Sequence, residues 1–258
     1  MPEDWLRIQS LYGPAAEGNW HTLIYEEQAG PTDTLTPELR ALPNLIKLGG
    51  TPAALWARFY HHGHPVLRCG SANIAIAQAI RERFGVLASG EWSLGTCAGV
   101  VWLGCDDRGV YYRDNPLPQG PLCEPHLWKQ VVGANGISGC YAGGDADYCL
   151  LRVSTPVQNL HPDLARLCDY SRRALILLSY PEDSASDRAQ FRYFAPQYGV
   201  DEDAATGSAS VQVAQFLRQC YGQTHMRLEQ HSAQGGDIQT EIHGDQVWVR
   251  GQARCYPA

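Results

Sequence analysis

Phe191-Arg192-Tyr193-Phe194-Ala195-Pro196, Gly199-Val200, Glu202-Asp203-Ala204-Ala205-Thr206-Gly207-Ser208-Ala209-Ser210 and an apolar run ending Ala214-Gln215 decide the fold, because the chain says much the same thing earlier. Around residue 58 it reads Arg58-Phe59-Tyr60, then a Gly/Pro/His linker, then Cys69-Gly70-Ser71-Ala72-Asn73 and a run ending Ala77-Gln78. A strand–turn–helix stated twice predicts two similar half-domains with a pseudo-symmetric cleft between them. A cleft flanked by two equivalent helix N-termini suits a small anion.

Working outward, Trp20–Glu26, Leu45–Thr51 and Leu55–Tyr60 read as strands. Gly30–Thr36 reads as a polar loop, and Ser71–Phe84 as a helix with Gly85 as its stop. Glu91–Leu94, Cys97–Leu103 and Val110–Tyr112 follow as strands, the last two joined by the hairpin turn Asp106-Asp107-Arg108-Gly109. Asn115–Pro121 holds three prolines and marks the crossover, giving half-domains 1–118 and 119–258. The second half repeats the order. Tyr148–Val153, Ala174–Ser179, Phe191–Phe194, Leu228–His231, Ile238–Ile242 and Gln246–Arg250 read as strands. His161–Tyr170, opened by Pro162, and Ser208–Tyr221 read as helices. The class is α+β, with a helix packed on or wrapped by a curved sheet in each half.

The chain has 258 residues, 44% hydrophobic and 18% charged, which suits a globule rather than a disordered chain. A formal net charge of −7 with no Lys/Arg cluster argues against a nucleic-acid surface, while leaving an anionic small substrate open. No apolar stretch approaches the roughly 18 residues of a membrane span, and the acidic N-terminus lacks a leader pattern. Nine cysteines, odd in number and without a Cys-x-x-Cys pair, form neither a disulfide framework nor a zinc spacing. Reduced thiols in a cytoplasmic protein are the expectation. Only Cys69 sits where chemistry would want it.

Gly before a helix lets backbone come close to a ligand, and the first turn offers free N–H groups. The positive helix end favours a carboxylate there. Gly70, Ser71 and Ala72 in the first half, and Thr206, Gly207 and Ser208 in the second, are therefore candidate substrate-binding residues. Cys69 precedes Gly70, where the helix dipole and Arg68 would favour its thiolate, so it is the candidate general base. Thr206, at the equivalent place, cannot serve as a base at neutral pH; the acidic group nearby is Asp203, beside Asp201 and Glu202.

The second stretch resembles the phenazine-biosynthesis PhzF-like family, whose signature is R-x-F-x-P, a spacer, then G-I/V-x-E-D-P-A-T-G-S-A. Glu229-Gln230 and the closing Val247-Trp248-Val249-Arg250-Gly251 resemble further family segments. Gly18-Asn19 resembles the opening G-N-P, which adds Asn19 to the candidate binding residues. The resemblance implies the diaminopimelate epimerase-like fold: two similar half-domains, each a curled mixed sheet around a central helix, with the active site between them. It implies an isomerase that moves a proton on a small carboxylated substrate without metal or cofactor, and a homodimer.

Departures qualify it. The family's catalytic Glu follows N-L-S, whereas this chain reads Asn44-Leu45-Ile46-Lys47, which makes Lys47 a candidate ligand for an anion. The family's A-G-H-P is here Cys69-Gly70-Ser71-Ala72, closer to the Cys-Gly-Asn of diaminopimelate epimerase and proline racemase, which use two opposed cysteines. A cysteine matched with a threonine resembles the trans-3-hydroxyproline dehydratases. The leading expectation is an isomerase with Cys69 as base and Asp203 as acid or second base. A lyase using a single Cys base and a non-catalytic binding protein are the alternatives. A nucleophilic Cys69 served by His61, His62 or His64, or a metal at those histidines, lacks further partners in the sequence.

Overall fold

Ala72, Ile74, Ala75, Ile76, Ala77, Ala79 and Ile80 give the first long helix apolar side chains all round its axis, so it is stable only where it is covered on every side. In the computed structural model every one of them is buried. The structure describes residues 5–26, 34–51, 53–84, 90–122, 125–181 and 186–257. The Gly85 helix stop and most of the Gly30–Thr36 loop lie outside them.

In chain order the elements are β1 (Trp5–Tyr12), β2 (Asn19–Glu26), α1 (Pro37–Arg40), β3 (Asn44–Thr51), β4 (Ala54–His61), β5 (His64–Val66), α2 (Gly70–Phe84), β6 (Glu91–Thr96), β7 (Gly99–Asp106) and β8 (Gly109–Asp114). There follow β9 (Gln119–Leu122), α3 (Pro125–Val132), β10 (Ser138–Ala142), β11 (Tyr148–Arg152), α4 (Leu164–Tyr170), β12 (Ala174–Ser179) and β13 (Arg188–Phe194). The chain closes with α5 (Gly207–Tyr221), β14 (His225–Gln230), β15 (Gly236–His243), β16 (Gln246–Arg250) and β17 (Gln252–Pro257). It divides into two compact units. One joins Met1–Asp114 to Trp248–Ala258; the other is Asn115–Val247. The sequence reading put its division at 118/119 and kept the last strand with the second half.

In the first unit the strands run β17-β1-β2-β3-β4-β6-β7-β8. Their pairings are antiparallel, antiparallel, parallel, antiparallel, parallel, antiparallel and antiparallel. β1, β2, β7, β8 and β17 all pack on α2, and the end strands β8 and β17 meet, so the sheet curls around the helix. A second apolar layer lies on the other face, where Ile24, Leu45 and Tyr60 pack with Leu35 and with Leu39 of α1.

In the second unit the order is β9-β10-β11-β12-β13-β14-β15, again antiparallel, antiparallel, parallel, antiparallel, parallel, antiparallel. α5 packs on β11, β14 and β15. Outside the sheet, Trp128, Val131 and Val132 of α3 and Leu167 of α4 cover Leu151, Leu175, Leu177 and Phe194. The repeated pairing sequence matches β4 to β13 and α2 to α5, which are the two copies read in the sequence. The fold is α+β, a curled mixed sheet on a central helix in each unit.

Local chemistry moves several boundaries. The helix expected from His161 starts at Leu164, because the Asp163 side chain accepts from Arg166 N at 2.9 Å and caps it. The strand expected from Cys97 starts at Gly99, since Thr96 Oγ1 bonds both Ala98 N and Gly99 O and makes residues 97–98 a turn. Among the described residues no helix is long and apolar enough to cross a membrane.

Candidate active site

The first half-site grows from the meeting of β1, β2 and α2. Cross-strand partners share a sheet face, so Ser10 with Asn19 and Ile8 with His21 lie together. Asn19 Nδ2 donates to Ser71 Oγ at 3.1 Å, which identifies that face as the one meeting α2. Gly18 is required just before it. Its φ is 71° and a Cβ there would run into the Ser10 carbonyl oxygen.

α2 opens at Gly70, with the Cys69 carbonyl accepting from Asn73 N at 3.1 Å. The Cys69 thiol is half-buried, and its Sγ lies 3.5 Å from Ser71 Oγ. Ser71 and Ala72 are buried. Arg68, the cation expected beside the thiol, has its guanidinium 3.7 Å from Asp114. The structure thus brings Cys69, Gly70, Ser71, Ala72 and Asn19 together at one helix start.

The second half-site is built by a clamped loop. Arg192 on β13 forms a two-pronged ion pair with Glu202, at 2.7 and 2.9 Å, and also donates to the carbonyls of Val157 and Leu160. Asp203 N then donates to Tyr193 O. Thr206 stands at the cap position of α5, yet its hydroxyl does not cap the helix; it donates to Asp203 Oδ2 at 2.6 Å.

Gln230, at the end of β14, ties the turn down. Its Oε1 accepts from Thr206 N at 2.6 Å, and its Nε2 donates to Asp203 O and to Thr206 Oγ1. Gly236, paired with Gln230, lets this turn come close, since a Cβ there would stand 2.7 Å from Ala205 Cβ. Asp203, Thr206, Gly207 and Ser208 therefore share one helix start. In the sequence Gln230 carries only the family resemblance; its role as the tie depends on the register of β14.

Lys47 is placed differently. On β3 it is a partner of Ile24, on the face that carries Leu45, away from the face of Asn19. It is 3% exposed, and its ammonium lies 3.3 Å from a Glu26 carboxylate oxygen on β2. His61, His62 and His64 surround the β4–β5 turn, where His61 Nδ1 bonds Asn44 Oδ1 at 2.9 Å. Among the described residues no three His, Cys, Asp or Glu side chains gather as metal ligands.

One buried group escaped the sequence reading. His21 shares its face with Asn19, its Nε2 has no hydrogen-bond partner among the described residues, and desolvation by burial brings its pKa down to about 4. It is a neutral imidazole beside the first half-site. Its only signal in the sequence is a histidine in an inward position of an alternating strand.

A family model described as phenazine biosynthesis-like protein matches residues 140–256. An uncharacterized isomerase of Pseudomonas aeruginosa is 34% identical over 99 residues, which are 38% of this chain and 36% of that protein. The chain therefore spans about a third of the length of that relative. An uncharacterized isomerase of Halalkalibacterium halodurans is 25% identical over 187 residues, 72% of this chain and 69% of that protein. The crystal structure of a PhzF family protein from Enterococcus faecalis superposes with a TM-score of 0.79 at 16% identity, covering 98% of this chain and 96% of that one, and so has the same fold.

Proposed function

Since the chain resembles the phenazine-biosynthesis PhzF-like family in fold and in its C-terminal sequence, we propose that it is an isomerase transferring a proton on a small carboxylated substrate. Cys69 is the base that takes the proton next to the carboxylate, and Asp203 returns one. The first-turn N–H groups at Gly70-Ser71-Ala72 and Gly207-Ser208 bind the substrate carboxylate and the enolate-like charge that develops. One observation carries the reading. A thiol and a carboxylate each stand at the start of a 15-residue helix, and each is hydrogen-bonded to a hydroxyl.

Removing a proton beside a carboxylate is difficult. Positioned acid–base groups contribute roughly 10²–10⁴-fold, so charge stabilisation at the helix ends has to supply much of the rest. Lys47, committed to Glu26, supports β2 and β3 rather than the substrate in this reading.

A lyase is the second reading. The threonine at the place matching Cys69 favours it, because a hydroxyl is no base at neutral pH: Cys69 alone takes the α-proton, and the β-hydroxyl leaves as water with a proton from solvent. Incubating the purified protein in deuterated buffer with a panel of amino and hydroxy acids, followed by proton NMR, separates the outcomes. An isomerase washes out the α-proton and gives an isomer of unchanged composition. A lyase gives an unsaturated or keto product. Ligands that raise the melting temperature with no exchange anywhere in the panel would contradict both and favour a binding protein.

A further inference from the structure

The hydrogen-bond directions at the first helix start are fixed by chemistry. An amide nitrogen carries two hydrogens and no usable lone pair, so Asn19 Nδ2 can only donate to Ser71 Oγ. The hydroxyl hydrogen of Ser71 therefore cannot point back at Asn19. The remaining hydrogen-bond partner of Ser71 Oγ among the described residues is Cys69 Sγ at 3.5 Å. Ser71 is 2% exposed and Asn19 7%, so bulk water does not compete for that hydrogen. Were the thiol instead to donate to Ser71, the hydroxyl hydrogen would be left buried without an acceptor, which is costly.

The second unit holds an independent instance. Gln230 Nε2 donates to Thr206 Oγ1 at 3.2 Å, and the Thr206 hydroxyl donates to Asp203 Oδ2 at 2.6 Å. Amide to hydroxyl to reacting group runs in the same sense, from residues that the repeat does not make equivalent. Asn19 opens β2, whereas Gln230 ends β14.

We propose that Asn19 is a positioning residue for Cys69: by occupying a lone pair of Ser71 Oγ it turns the Ser71 hydrogen onto the sulfur and holds Cys69 as a thiolate. Asn19 and Ser71 are then not substrate ligands through their side chains. The inference rests on the reading of Cys69 as the base, but it is tested without turnover, so the two fail separately.

The test is the pH dependence of Cys69 alkylation by iodoacetamide in the full-length protein, followed by mass spectrometry of the peptide carrying Cys69. Cys255 is an internal reference, because burial and the neighbouring Glu82 push its thiol up to about 12. Hydrogen bonds to charged groups predict that Ser71→Ala raises the Cys69 midpoint by about one pH unit, so that about tenfold less thiolate reacts at neutral pH. Ser71→Thr keeps the wild-type midpoint. Asn19→Leu raises the midpoint in the wild-type background and has no effect in the Ser71→Ala background. An unchanged midpoint in Ser71→Ala, or an equal Asn19→Leu shift in both backgrounds, would overturn the relay. Should Ser71→Ala fail to fold, Asn19→Leu against wild type decides: a raised midpoint supports the relay and an unchanged one overturns it.

Discussion

The two units share a backbone plan and differ in how they place chemistry on it. Both run through the same order of antiparallel and parallel pairings, and both lay a 15-residue helix on the sheet. In the first, the Cys69 sulfur is one residue before the opening glycine and the Ser71 hydroxyl one residue after it. In the second, the carboxylate is four residues before the glycine and the hydroxyl one before. The approach differs too. A short hairpin through β5 leads to Cys69, whereas a loop pinned by Arg192–Glu202 leads to Asp203. Duplication thus predicts where a functional group will stand but not which group it will be. Strand pairing depends on the backbone, while the candidate side chains Cys69 and Asp203 sit in turns that change without disturbing it.

The contrast breaks first at the clamp. Arg192→Leu leaves Glu202 and two carbonyls without their donor, so it should cost about 3–5 kcal/mol, read by chemical denaturation. A cost below 1 kcal/mol would mean the loop carrying Asp203 is held by other means.

The first half-site relies on tight backbone at Gly18. Gly18→Ala forces both a positive φ and a clash with Ser10, and should cost about 3 kcal/mol. Ala in place of Gly199, which also has a positive φ (77°) but nothing near its Cβ position, should cost about 1 kcal/mol. Equal costs would remove the distinction between strain and crowding.

His21 sharpens the comparison through pH. Its folded pKa of about 4 lies below the usual 6.5, so the unfolded chain takes up the proton first as pH falls. Stability from this group is complete above about pH 6.5 and is lost progressively towards pH 4, about 3 kcal/mol in all. His21→Leu should flatten that part of the profile in equilibrium unfolding; an unchanged slope would show that His21 is not the source. Smallest is Lys47→Met with Glu26→Leu. Exchanging an ion pair for apolar packing should change stability by no more than about 1–2 kcal/mol, in either direction, in thermal unfolding.

Much of this was legible in the sequence. The doubled aromatic–Arg and Gly-Ser-Ala patterns located β4, β13, α2 and α5, because strand alternation and helix starts are local signals. The strands β1, β5, β9, β10 and β17 were not read. β10 is Ser-Gly-Cys-Tyr-Ala and β17 largely polar, so their strand character comes from neighbours in the sheet rather than from their own pattern. α3 could have been found, since Leu127, Trp128, Val131 and Val132 recur with helical spacing behind Pro125. Among the candidate residues, those flanking Gly70 and Gly207 were readable as helix starts, and helix starts they are. Gln230 as a tie and His21 as a buried imidazole were not, because both depend on register between distant strands.

The most direct measurement is solvent-deuterium exchange by Cys69→Ala on the substrate that the wild-type protein is found to exchange. The account predicts a loss of at least about a hundredfold, as removal of a positioned base requires. Full exchange by Cys69→Ala would contradict it and send the search for the base elsewhere.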